Sequence, residues 1–379
     1  MGGGSGGHVT PVVAVLREIH KEFPRARVRF WCDRHFIHEA RSIIAEYDRS
    51  VQTQTIVAGK FRRYHHLSKL QHLTTPSIIF PNILDAFLVT FGVGQSFVRM
   101  ILWRPDVVFA KGGYVCLPVG IAAWLLRIPV VVHDSDAHPG LTNRLLAPFA
   151  KRIATGMPLD YYDYPVEKTE YVGTPIDSAY EVLSDERRTQ IKEELGFDSR
   201  RSLVVITGGG QGARPINNAV ALHLDELLKH ANVMLLSGSA QYDELRSITP
   251  QDNTRFVLTD FVYSGLPDIL GAADVVVSRA GATSLLELAA VARPTIVVPN
   301  KRLVWQIKHV QPYIDSHAVL SLDEDKFTEQ DDTSLVDAVV KVLKDRSLRK
   351  TLGQNLHKHA KPNAARDMAS IILNAKKRA

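Results

Sequence analysis

SLVVITGGGQGARPINNAVAL, residues 202–222, runs from an apolar segment through four glycines into a helical pattern. The apolar and β-branched residues predict a buried strand, and the glycines predict a tight turn directly after it. The pattern that follows predicts a helix, whose first N–H groups would point at the turn. A strand, a glycine-rich turn and a helix in this order indicate one βα unit of a parallel sheet.

A similar glycine run occurs about half a chain earlier. Residues 2–7 read GGGSGG, and residues 208–213 read GGGQGA. With 379 residues, the chain has room for two domains of ordinary size. Four segments are expected: an N-terminal domain (1–160), a linker rich in Tyr, Pro and Asp (161–180), a C-terminal domain (181–345) and C-terminal helices (346–379).

Apolar runs alternate with helix-length segments along much of the chain. These runs end in small or polar residues: RVRFWCD (27–33), PDVVFAKGG (105–113), IPVVVHDSD (128–136), NVMLLSG (232–238), ADVVVSRAG (273–281) and RPTIVVPN (293–300). The alternation predicts α/β domains with parallel sheets. In such sheets ligands bind beyond the carboxyl ends of the strands, where these small and polar residues lie.

Composition and charge exclude some classes of protein but do not identify the function. The chain is 45% hydrophobic and 23% charged, as is usual for a soluble globular protein. Its two cysteines, Cys32 and Cys116, cannot form a disulfide framework and belong to no metal-binding pattern, which fits a reducing compartment. No leader for export is expected. The net charge of +6 fits either an ordinary solvated surface or an anionic partner.

Residues 78–103 form the most apolar long stretch. Its length would admit a membrane-spanning helix. Four residues argue against one, Pro81, Asp85, Gln95 and Arg99, because charges at membrane depth are costly. A buried pair of helices and a partly exposed surface that touches a membrane are the alternatives. The preceding GKFRRYHHLSKLQH carries four basic residues beside aromatic residues: Lys60, Arg62, Arg63 and Lys69. Basic residues next to an apolar surface favour peripheral binding to anionic lipids.

The first glycine run also satisfies GxGxxG, the pattern of dinucleotide-binding loops. In a nicotinamide-dependent oxidoreductase, Asp33 would then bind the ribose. Such a loop follows a strand, however, and only Met1 precedes it here. His8 comes directly after the run and is either a surface or capping residue or, if the loop lines a ligand cleft, a proton acceptor.

Six segments together resemble the MurG family of membrane-associated glycosyltransferases of bacterial cell-wall synthesis. They follow one another in the family's order: GGGSGGHVTPVVAV (2–15), AGKFRRY (58–64), PDVVFAKGGYVCLPVGIAA (105–123), IPVVVHDSDAHPGLTNRLL (128–146), ITGGGQGARPIN (206–217) and VVVSRAGATSLLELAAVARPTIVVP (275–299). Their combination is far more specific than any single glycine pattern.

The resemblance implies the GT-B architecture, in which two Rossmann-like domains with parallel sheets face each other across a cleft. It implies an inverting transfer of N-acetylglucosamine from UDP-GlcNAc to the 4-hydroxyl of undecaprenyl-diphosphate-linked MurNAc-pentapeptide, with no metal and no cofactor. It places the enzyme on the cytoplasmic face of the cell membrane, as a peripheral protein that binds an anionic surface and no nucleic acid. The last helix would return to the N-terminal domain.

The resemblance also assigns roles to residues. His8 is the first candidate for the base that deprotonates the attacking hydroxyl, and Asp134 is the second. Glu287 would bind the ribose hydroxyls of the donor. The residues expected at the donor are Gly6, Gly7, Gly208, Gly209, Gly210, Gln211, Gly212, Val262, Arg279, Ala280, Gly281, Thr283, Glu287 and Gln306. Those expected at the acceptor are Gly3, Gly4, Ser5, Lys111, Gly112, Gly113, Tyr114, Asp136 and Asn143.

The chain departs from the family pattern at four places. HDSD at 133–136 replaces the family's HEQN, Asp177 stands in place of an arginine, and Gly210 stands in place of a serine. Ile307 and Val310 replace a glutamine and an asparagine. These changes bear on the diphosphate contacts and on the choice of donor and acceptor.

Family members begin with a few residues of β-strand before the first glycine loop. We therefore expect residues 2–8 to be an active-site loop rather than a flexible linker, and the true start to lie upstream of Met1. Two other functions stay open: a related GT-B transferase with another lipid or lipid-linked acceptor, and a UDP-sugar-binding protein with impaired catalysis. A nicotinamide-dependent oxidoreductase would leave the second glycine loop unexplained.

Overall fold

The chain forms two compact units, which we describe separately. The computed structural model describes residues 1–3, 6–61, 75–250, 253–262, 264–328 and 332–376. The first unit comprises Met1–Asp177 together with Asn363–Ala379, and the second comprises Ser178–Pro362.

Helices alternate with strands through most of both units. The α-helices are α1 (Thr10–Glu22), α2 (Ile37–Tyr47), α3 (Pro76–Leu102), α4 (Cys116–Leu125), α5 (Leu141–Leu146), α6 (Asp185–Glu194), α7 (Arg214–Leu222), α8 (Leu224–His230), α9 (Tyr242–Ile248), α10 (Leu266–Ala272), α11 (Ala282–Ala290), α12 (Val304–Asp315), α13 (Ser334–Lys344), α14 (Arg346–His357) and α15 (Ala364–Ala375). The strands are β1 (Arg29–Cys32), β2 (Gln52–Thr55), β3 (Val108–Ala110), β4 (Val130–Asp134), β5 (Arg152–Thr155), β6 (Thr169–Tyr171), β7 (Leu203–Thr207), β8 (Asn232–Leu236), β9 (Phe256–Thr259), β10 (Val275–Ser278), β11 (Thr295–Val297) and β12 (Leu320–Ser321).

The second unit is built on one parallel sheet with the order β12-β11-β10-β7-β8-β9. From the central strand β7 the chain moves outward through β8 and β9, and then returns to the other side of β7 for β10, β11 and β12. The order therefore reverses between β7 and β10, and a crevice at such a point is where doubly wound sheets bind ligands. Residues 203–206 of β7 are fully buried, because helices cover both faces of the sheet.

The first unit contains two parallel sheets, β1-β2 and β3-β4-β5-β6. Met1 and Gly2 lie between them. The Met1 amino group donates to the Phe109 carbonyl (2.9 Å), and the Lys111 N–H donates to the Met1 carbonyl (3.0 Å). On the other side the Gly2 N–H donates to the Trp31 carbonyl (3.3 Å). Two residues thus join the two sheets at the carboxyl ends of β1 and β3, and the parallel α/β prediction is confirmed.

The limits of the units differ from the predicted ones. Much of the predicted linker, 161–180, belongs to the first unit because β6 pairs with β5. The C-terminal segment is divided, since Leu352 and Leu356 of α14 lie in the core of the second unit. Only α15 joins the first unit, where Met368 packs in the same core as α1, and the Ala375 carbonyl accepts a bond from Lys151 (3.0 Å).

The apolar stretch forms one continuous helix, α3, so the expectation of a buried helix pair is wrong. Its polar side chains bind the segment that follows β2. Gln95 accepts a bond from the Val57 N–H (2.9 Å), and Arg99 donates to the Thr55 carbonyl (2.8 Å). One face of α3 is thereby fixed to the first unit.

The opposite face of α3 exposes large apolar side chains. We call this face the α3 surface; it comprises Phe80, Ile83, Leu84, Phe87 and Phe91. Phe80, Phe87 and Phe91 are each 65–70% exposed. By length and composition alone, Ser77–Leu102 could cross a membrane, and only 11% of its most apolar window is buried.

Candidate active site

In the first unit, His8 lies against the turn that follows β3. Gly112 has a φ of 121°, and a Cβ there would come within 3.1 Å of His8 Cε1. Gly113 has a φ of 87°, and its Cβ would lie 2.5 Å from the Gly3 carbonyl oxygen. Both positions need glycine, because a side chain would be strained and would push the two loops apart. The structure therefore brings four of the predicted site residues together.

The surroundings of His8 keep its imidazole neutral. Burial, followed by the positive charge of Lys111, lowers the pKa of His8 to about 3. His8 Nδ1 is buried and has no hydrogen-bond partner among the described residues. A ligand group that offset the Lys111 charge would remove the second of these causes and so raise the pKa of His8, while burial continues to lower it.

Lys111 is the buried cation of this site. Its ammonium donates to Ser135 Oγ, and burial lowers the pKa of Lys111 to about 8 against the opposing effects of Asp136 and Asp134. Burial and the neighbouring Asp134 charge in turn raise the pKa of Asp136 to about 6. The site can therefore change its net charge within the range of ordinary assay buffers.

Asp134, the second candidate base, is held inside a hydrogen-bond network. Its Oδ2 accepts from the Tyr164 hydroxyl (2.7 Å) and from the Gly140 N–H (3.1 Å), and Asn143 also bonds to the carboxylate. With 2% exposure, the carboxylate has little room to approach a substrate hydroxyl. This geometry argues against Asp134 as a base and fits a role in fixing the loop after β4.

Asn143 has one amide atom available for a ligand. Its Nδ2 donates to the His133 carbonyl (3.3 Å), whereas its Oδ1 is buried with no partner among the described residues. Tyr114 bonds to Asp33, and Asp33 accepts from the N–H groups of the short turn that follows it. Asp33 is thus a cap, which removes the reason to assign it to a ribose.

Replacing Asp136 by Asn should stabilise the protein at pH 8 and leave its stability unchanged near pH 4. The folded state raises the pKa of Asp136, so between about pH 4 and 6 it binds more protons than the unfolded state. Stability therefore falls as the pH rises through that window. We expect a gain of about 1–2 kcal/mol, less than the full shift because Asp136 is partly exposed and solvent screens its interactions. Urea unfolding at both pH values measures it; equal gains at pH 4 and 8 would contradict the assignment.

In the second unit, the loop after β7 is shaped by glycines. Gly209 (φ 79°) donates to Thr207 Oγ1 (3.0 Å), and a Cβ on Gly212 (φ 73°) would overlap the Ser237 carbonyl. Gly210 and Gln211 are exposed, and their N–H groups have no partner among the described residues. These two groups can bind an anion.

A second loop lies on the other side of the reversal point, because β10 is the neighbour of β7. Gly281 is the N-cap of α11, so the N–H groups of Ala282 and Thr283 point out of the helix start. Arg279 was expected to bind diphosphate, but its guanidinium pairs with Glu324 (2.7 Å) and donates to the Val298 carbonyl. Its charge is already compensated, which leaves main-chain N–H groups as the principal donors.

Glu287 and Gln306 follow these loops on helices. Glu287 is half-buried on α11, one turn beyond Thr283. Gln306 Oε1 accepts from the Asn300 N–H (2.9 Å) and so shapes the turn before α12. Val262 and Ala280 pack in the core beside them, and their expected donor contacts stay predictions.

The structure shows the surroundings of the residues at three of the departures from the family pattern. Asp177 pairs with Arg17 (3.3 Å), which offsets the added negative charge. Ile307 is exposed on α12, whereas Val310 is 1% exposed in the core and cannot reach a ligand without rearrangement. Gly210 lies in the loop that follows β7 and is exposed there.

Some predicted features lie outside the described residues. These are Gly4, Ser5 and most of the basic segment before α3, residues 62–74. Gly6 and Gly7 belong to the short helical turn Gly6–His8. Within the described ranges, no three His, Cys, Asp or Glu side chains cluster so as to hold a metal ion.

Comparison with known proteins identifies the family. The N-terminal domain of glycosyltransferase family 28 matches residues 1–155, and the C-terminal domain matches residues 203–368. A relative from Bacillus cereus (strain ATCC 10987) is 35% identical over 301 residues, which cover 79% of this chain and 77% of the relative. One from Legionella pneumophila (strain Lens) is 31% identical over 377 residues, 98% of this chain and 94% of the relative. Both are named as UDP-N-acetylglucosamine--N-acetylmuramyl-(pentapeptide) pyrophosphoryl-undecaprenol N-acetylglucosamine transferases.

The chain belongs to the MurG family. The predicted resemblance is thereby confirmed. MurG from Acinetobacter baumannii shares the fold with a TM-score of 0.69, at 21% identity over 99% of this chain and 98% of that one. A UDP-GlcNAc 2-epimerase from Neisseria meningitidis, bound to UDP-GlcNAc, aligns with a TM-score of 0.62 at 12% identity over 98% of both chains. The fold is that of the GT-B glycosyltransferases, with two α/β domains on parallel sheets.

Sequence reasoning overlooked several residues of this MurG site. Tyr164 was assigned to a linker, yet its hydroxyl binds Asp134. Glu324 neutralises Arg279 from a position 45 residues later, and Arg17 neutralises Asp177. An isolated tyrosine or a distant charge carries no local signal, so only the folded chain reveals these partners.

Proposed function

We propose that this protein transfers N-acetylglucosamine from UDP-GlcNAc to the 4-hydroxyl of lipid-linked MurNAc-pentapeptide, with inversion at the anomeric carbon. The observation that carries the proposal is its 31–35% identity, over most of their length, to relatives named for this reaction. Both glycine loops and the switch point in the second unit are consistent with it. The reaction is one step in building peptidoglycan.

In the proposed reaction, main-chain N–H groups of the second unit bind the diphosphate of the donor. Gly210, Gln211 and the start of α11 offer such groups beside the reversal point of the sheet. They stabilise the negative charge that develops on UDP as it leaves. The half-buried carboxylate of Glu287 accepts hydrogen bonds from the ribose diol.

His8 serves as the base on the acceptor side. Its unused Nδ1 accepts the proton of the attacking 4-hydroxyl, and Asn143 Oδ1 orients a neighbouring hydroxyl of the sugar. When the diphosphate of the acceptor lies near Lys111, it offsets the charge that lowers the pKa of His8. Acceptor binding thus makes the histidine a stronger base at the moment when the base is needed.

We further infer that the α3 surface binds the membrane that carries the acceptor. Its exposed aromatic side chains form one face of a helix whose other face is bound to the first unit. Such a surface buries apolar area in the boundary between headgroups and acyl chains without spanning the bilayer. On this basis we propose that the protein acts as a peripheral enzyme at the cytoplasmic face of the cell membrane.

Replacing Phe87 and Phe91 together by Glu should reduce binding to vesicles of anionic phospholipid at least 10-fold. Two aromatic side chains that are more than 60% exposed would be lost from the interface, and two charges that anionic lipid repels would be added. Vesicle sedimentation measures the binding, and activity on a water-soluble acceptor should stay unchanged. The matched control replaces exposed Leu222 and Ile248 of the second unit by Glu. Equal binding by the α3 variant and this control would contradict the inference.

Acceptor-dependent release of UDP tests the proposed function. The protein is given UDP-GlcNAc and either a water-soluble analogue of the lipid-linked MurNAc-pentapeptide or diacylglycerol, and the products are weighed by mass spectrometry. The muramyl analogue should gain one N-acetylhexosamine, and diacylglycerol should gain none. Transfer to diacylglycerol alone would favour a related GT-B transferase with a different acceptor. UDP-GlcNAc binding without turnover on either would indicate impaired catalysis.

A further inference from the structure

Lys111 is a buried cation without a carboxylate partner. Its side chain is 1% exposed, and within the described ranges its ammonium forms no ion pair. Proteins rarely bury a lysine unless its charge is paired. An ammonium carries three N–H donors, and among the described residues only Ser135 accepts from this one. Two donors therefore remain available to a ligand.

The groups around Lys111 act on it through their charges without pairing with it. The titratable groups that interact with its ammonium are His8, Cys116, His133, Asp134 and Asp136. Both histidines are neutral, and burial raises the pKa of the Cys116 thiol, so these three carry no compensating charge. The two carboxylates favour the ammonium from a distance. An anion that enters beside His8 would thus meet a positive charge with no direct partner among the described residues.

A chain of hydrogen bonds with a fixed direction holds the Lys111 ammonium. The Gly173 carbonyl can only accept, so His133 Nε2 donates to it (2.8 Å). Burial, followed by the Lys111 charge, lowers the pKa of His133 well below its usual value, so the ring is neutral and its Nδ1 is an acceptor. Ser135 Oγ donates to that Nδ1 (3.4 Å) and accepts from Lys111. Ser135 is thus the link between the ammonium and the imidazole.

Neighbouring strands of one sheet supply the members of this chain. Lys111 directly follows β3, His133 lies in β4, Ser135 directly follows β4, and Gly173 comes soon after β6. The Gly173 N–H donates to the Thr155 carbonyl (3.0 Å) at the end of β5, which lies between β4 and β6. The far end of the chain is therefore fixed to the sheet, and its position does not depend on a free loop.

We propose that Ser135 is a positioning residue, which holds the Lys111 ammonium so that its two remaining N–H groups bind a phosphate group of the acceptor. This inference rests on the proposed function, because the acceptor named there carries a diphosphate. Hydrogen bonds from an ammonium to a phosphate are about twice as strong as those between neutral groups. Ser135 does not touch the acceptor and acts only through Lys111. The family pattern has a glutamine at this position, so the serine is a feature of this chain.

Titration of Lys111 in the presence of inorganic pyrophosphate tests the proposal. The protein is labelled with ¹³C at Cε of its lysines, and the Lys111 signal is assigned by its absence from Lys111→Met. Pyrophosphate should raise the midpoint of the Lys111 titration above about 8 by roughly one pH unit, because a bound anion favours the ammonium. Sodium chloride at the same ionic strength should leave the midpoint close to its value in the free protein.

Replacing Ser135 by Ala should weaken pyrophosphate binding, followed by the same signal, at least 10-fold. The ammonium would lose the acceptor that fixes it, so the midpoint of the free protein should also fall. Ser135→Thr keeps the hydroxyl and should bind within threefold of the unmodified protein. The matched control is Ser42→Ala, which removes an exposed serine hydroxyl from α2 and should change neither quantity.

Kinetics with the soluble muramyl-pentapeptide analogue add a readout that a merely structural serine would not move. Ser135→Ala should raise the KM for the acceptor about 10-fold, because only the binding of its phosphate is weakened. The kcat and the KM for UDP-GlcNAc should stay within threefold of the unmodified values. Ser135→Thr should restore the KM for the acceptor.

Two results would overturn the proposal. The first is a Lys111 signal that pyrophosphate leaves unchanged, and this measurement uses the unmodified protein and so does not depend on the folding of a variant. The second is a Ser135→Ala variant that loses thermal stability but binds pyrophosphate as tightly as the unmodified protein. If pyrophosphate binds at Lys111 while release of UDP does not depend on the muramyl acceptor, the proposed reaction is wrong and the anion site at Lys111 is supported.

Discussion

Replacing His8 by Ala is expected to lower kcat by 10²–10⁴ while leaving the affinity for UDP-GlcNAc unchanged. Removal of a positioned general base typically costs a factor of this size. His8 is suited to the role because its Nδ1 has no partner among the described residues and because its ring stays neutral at assay pH. Steady-state kinetics with the soluble acceptor, combined with calorimetric binding of UDP-GlcNAc, measures both quantities.

The matched control for this prediction is His38→Ala, which removes an exposed histidine from the same unit. It should retain the activity of the unmodified protein. A His8→Ala variant with kcat within threefold of that value would show that another group, with Asp136 the nearest candidate by its pKa of about 6, accepts the proton.

Replacing Gly212 by Ala should weaken UDP-GlcNAc binding about 100-fold. The position has a φ of 73°, which costs an alanine roughly 1–2 kcal/mol. The added Cβ would also overlap the Ser237 carbonyl, so the loop must move away from β8. The N–H groups of Gly210 and Gln211 would then no longer converge on the diphosphate. The dissociation constant measured by calorimetry tests this expectation.

Gly210→Ala is the matched control in the same loop. Its φ lies outside the left-handed region, and its Cβ would meet only the Phe261 ring at 3.7 Å. Binding should therefore change less than threefold. If both variants bind UDP-GlcNAc as tightly as the unmodified protein, the loop after β7 does not hold the diphosphate.

Local patterns in the sequence were sufficient to predict the architecture. Strands such as β7 and β10 are continuous apolar runs that end in glycine or small residues, and this pattern depends only on neighbours along the chain. The repeated glycine runs likewise predicted two similar units. The individual site residues were assigned by resemblance to the family, which no periodicity could have supplied.

Features that depend on contacts between distant residues could not be predicted. Arg279 was predicted to bind the diphosphate of the donor, but in the structure its guanidinium pairs with Glu324. Asp134 looked like a second base, although Tyr164 occupies its carboxylate. In each case the deciding partner lies 30 or more residues away and has no spacing rule.

The expectation of a buried pair of helices at residues 78–103 is also wrong because of contacts with a distant segment. The sequence left a buried pair of helices and a partly exposed surface open as alternatives. In the structure, Gly92 allows the segment after β2 to cross the helix closely, since a Cβ there would overlap the Val57 carbonyl. The helix continues, and its aromatic face stays exposed.

The configuration of the new glycosidic bond shows whether this protein transfers N-acetylglucosamine by a single inverting displacement. UDP-GlcNAc labelled with ¹³C at C1 is incubated with the soluble muramyl-pentapeptide acceptor, and the product is examined by NMR. We expect a β-linked N-acetylglucosamine on the 4-hydroxyl, with one UDP released for each bond formed, because a single displacement inverts the α-linked donor. An α-linked product, or UDP release that does not depend on the acceptor, would contradict it.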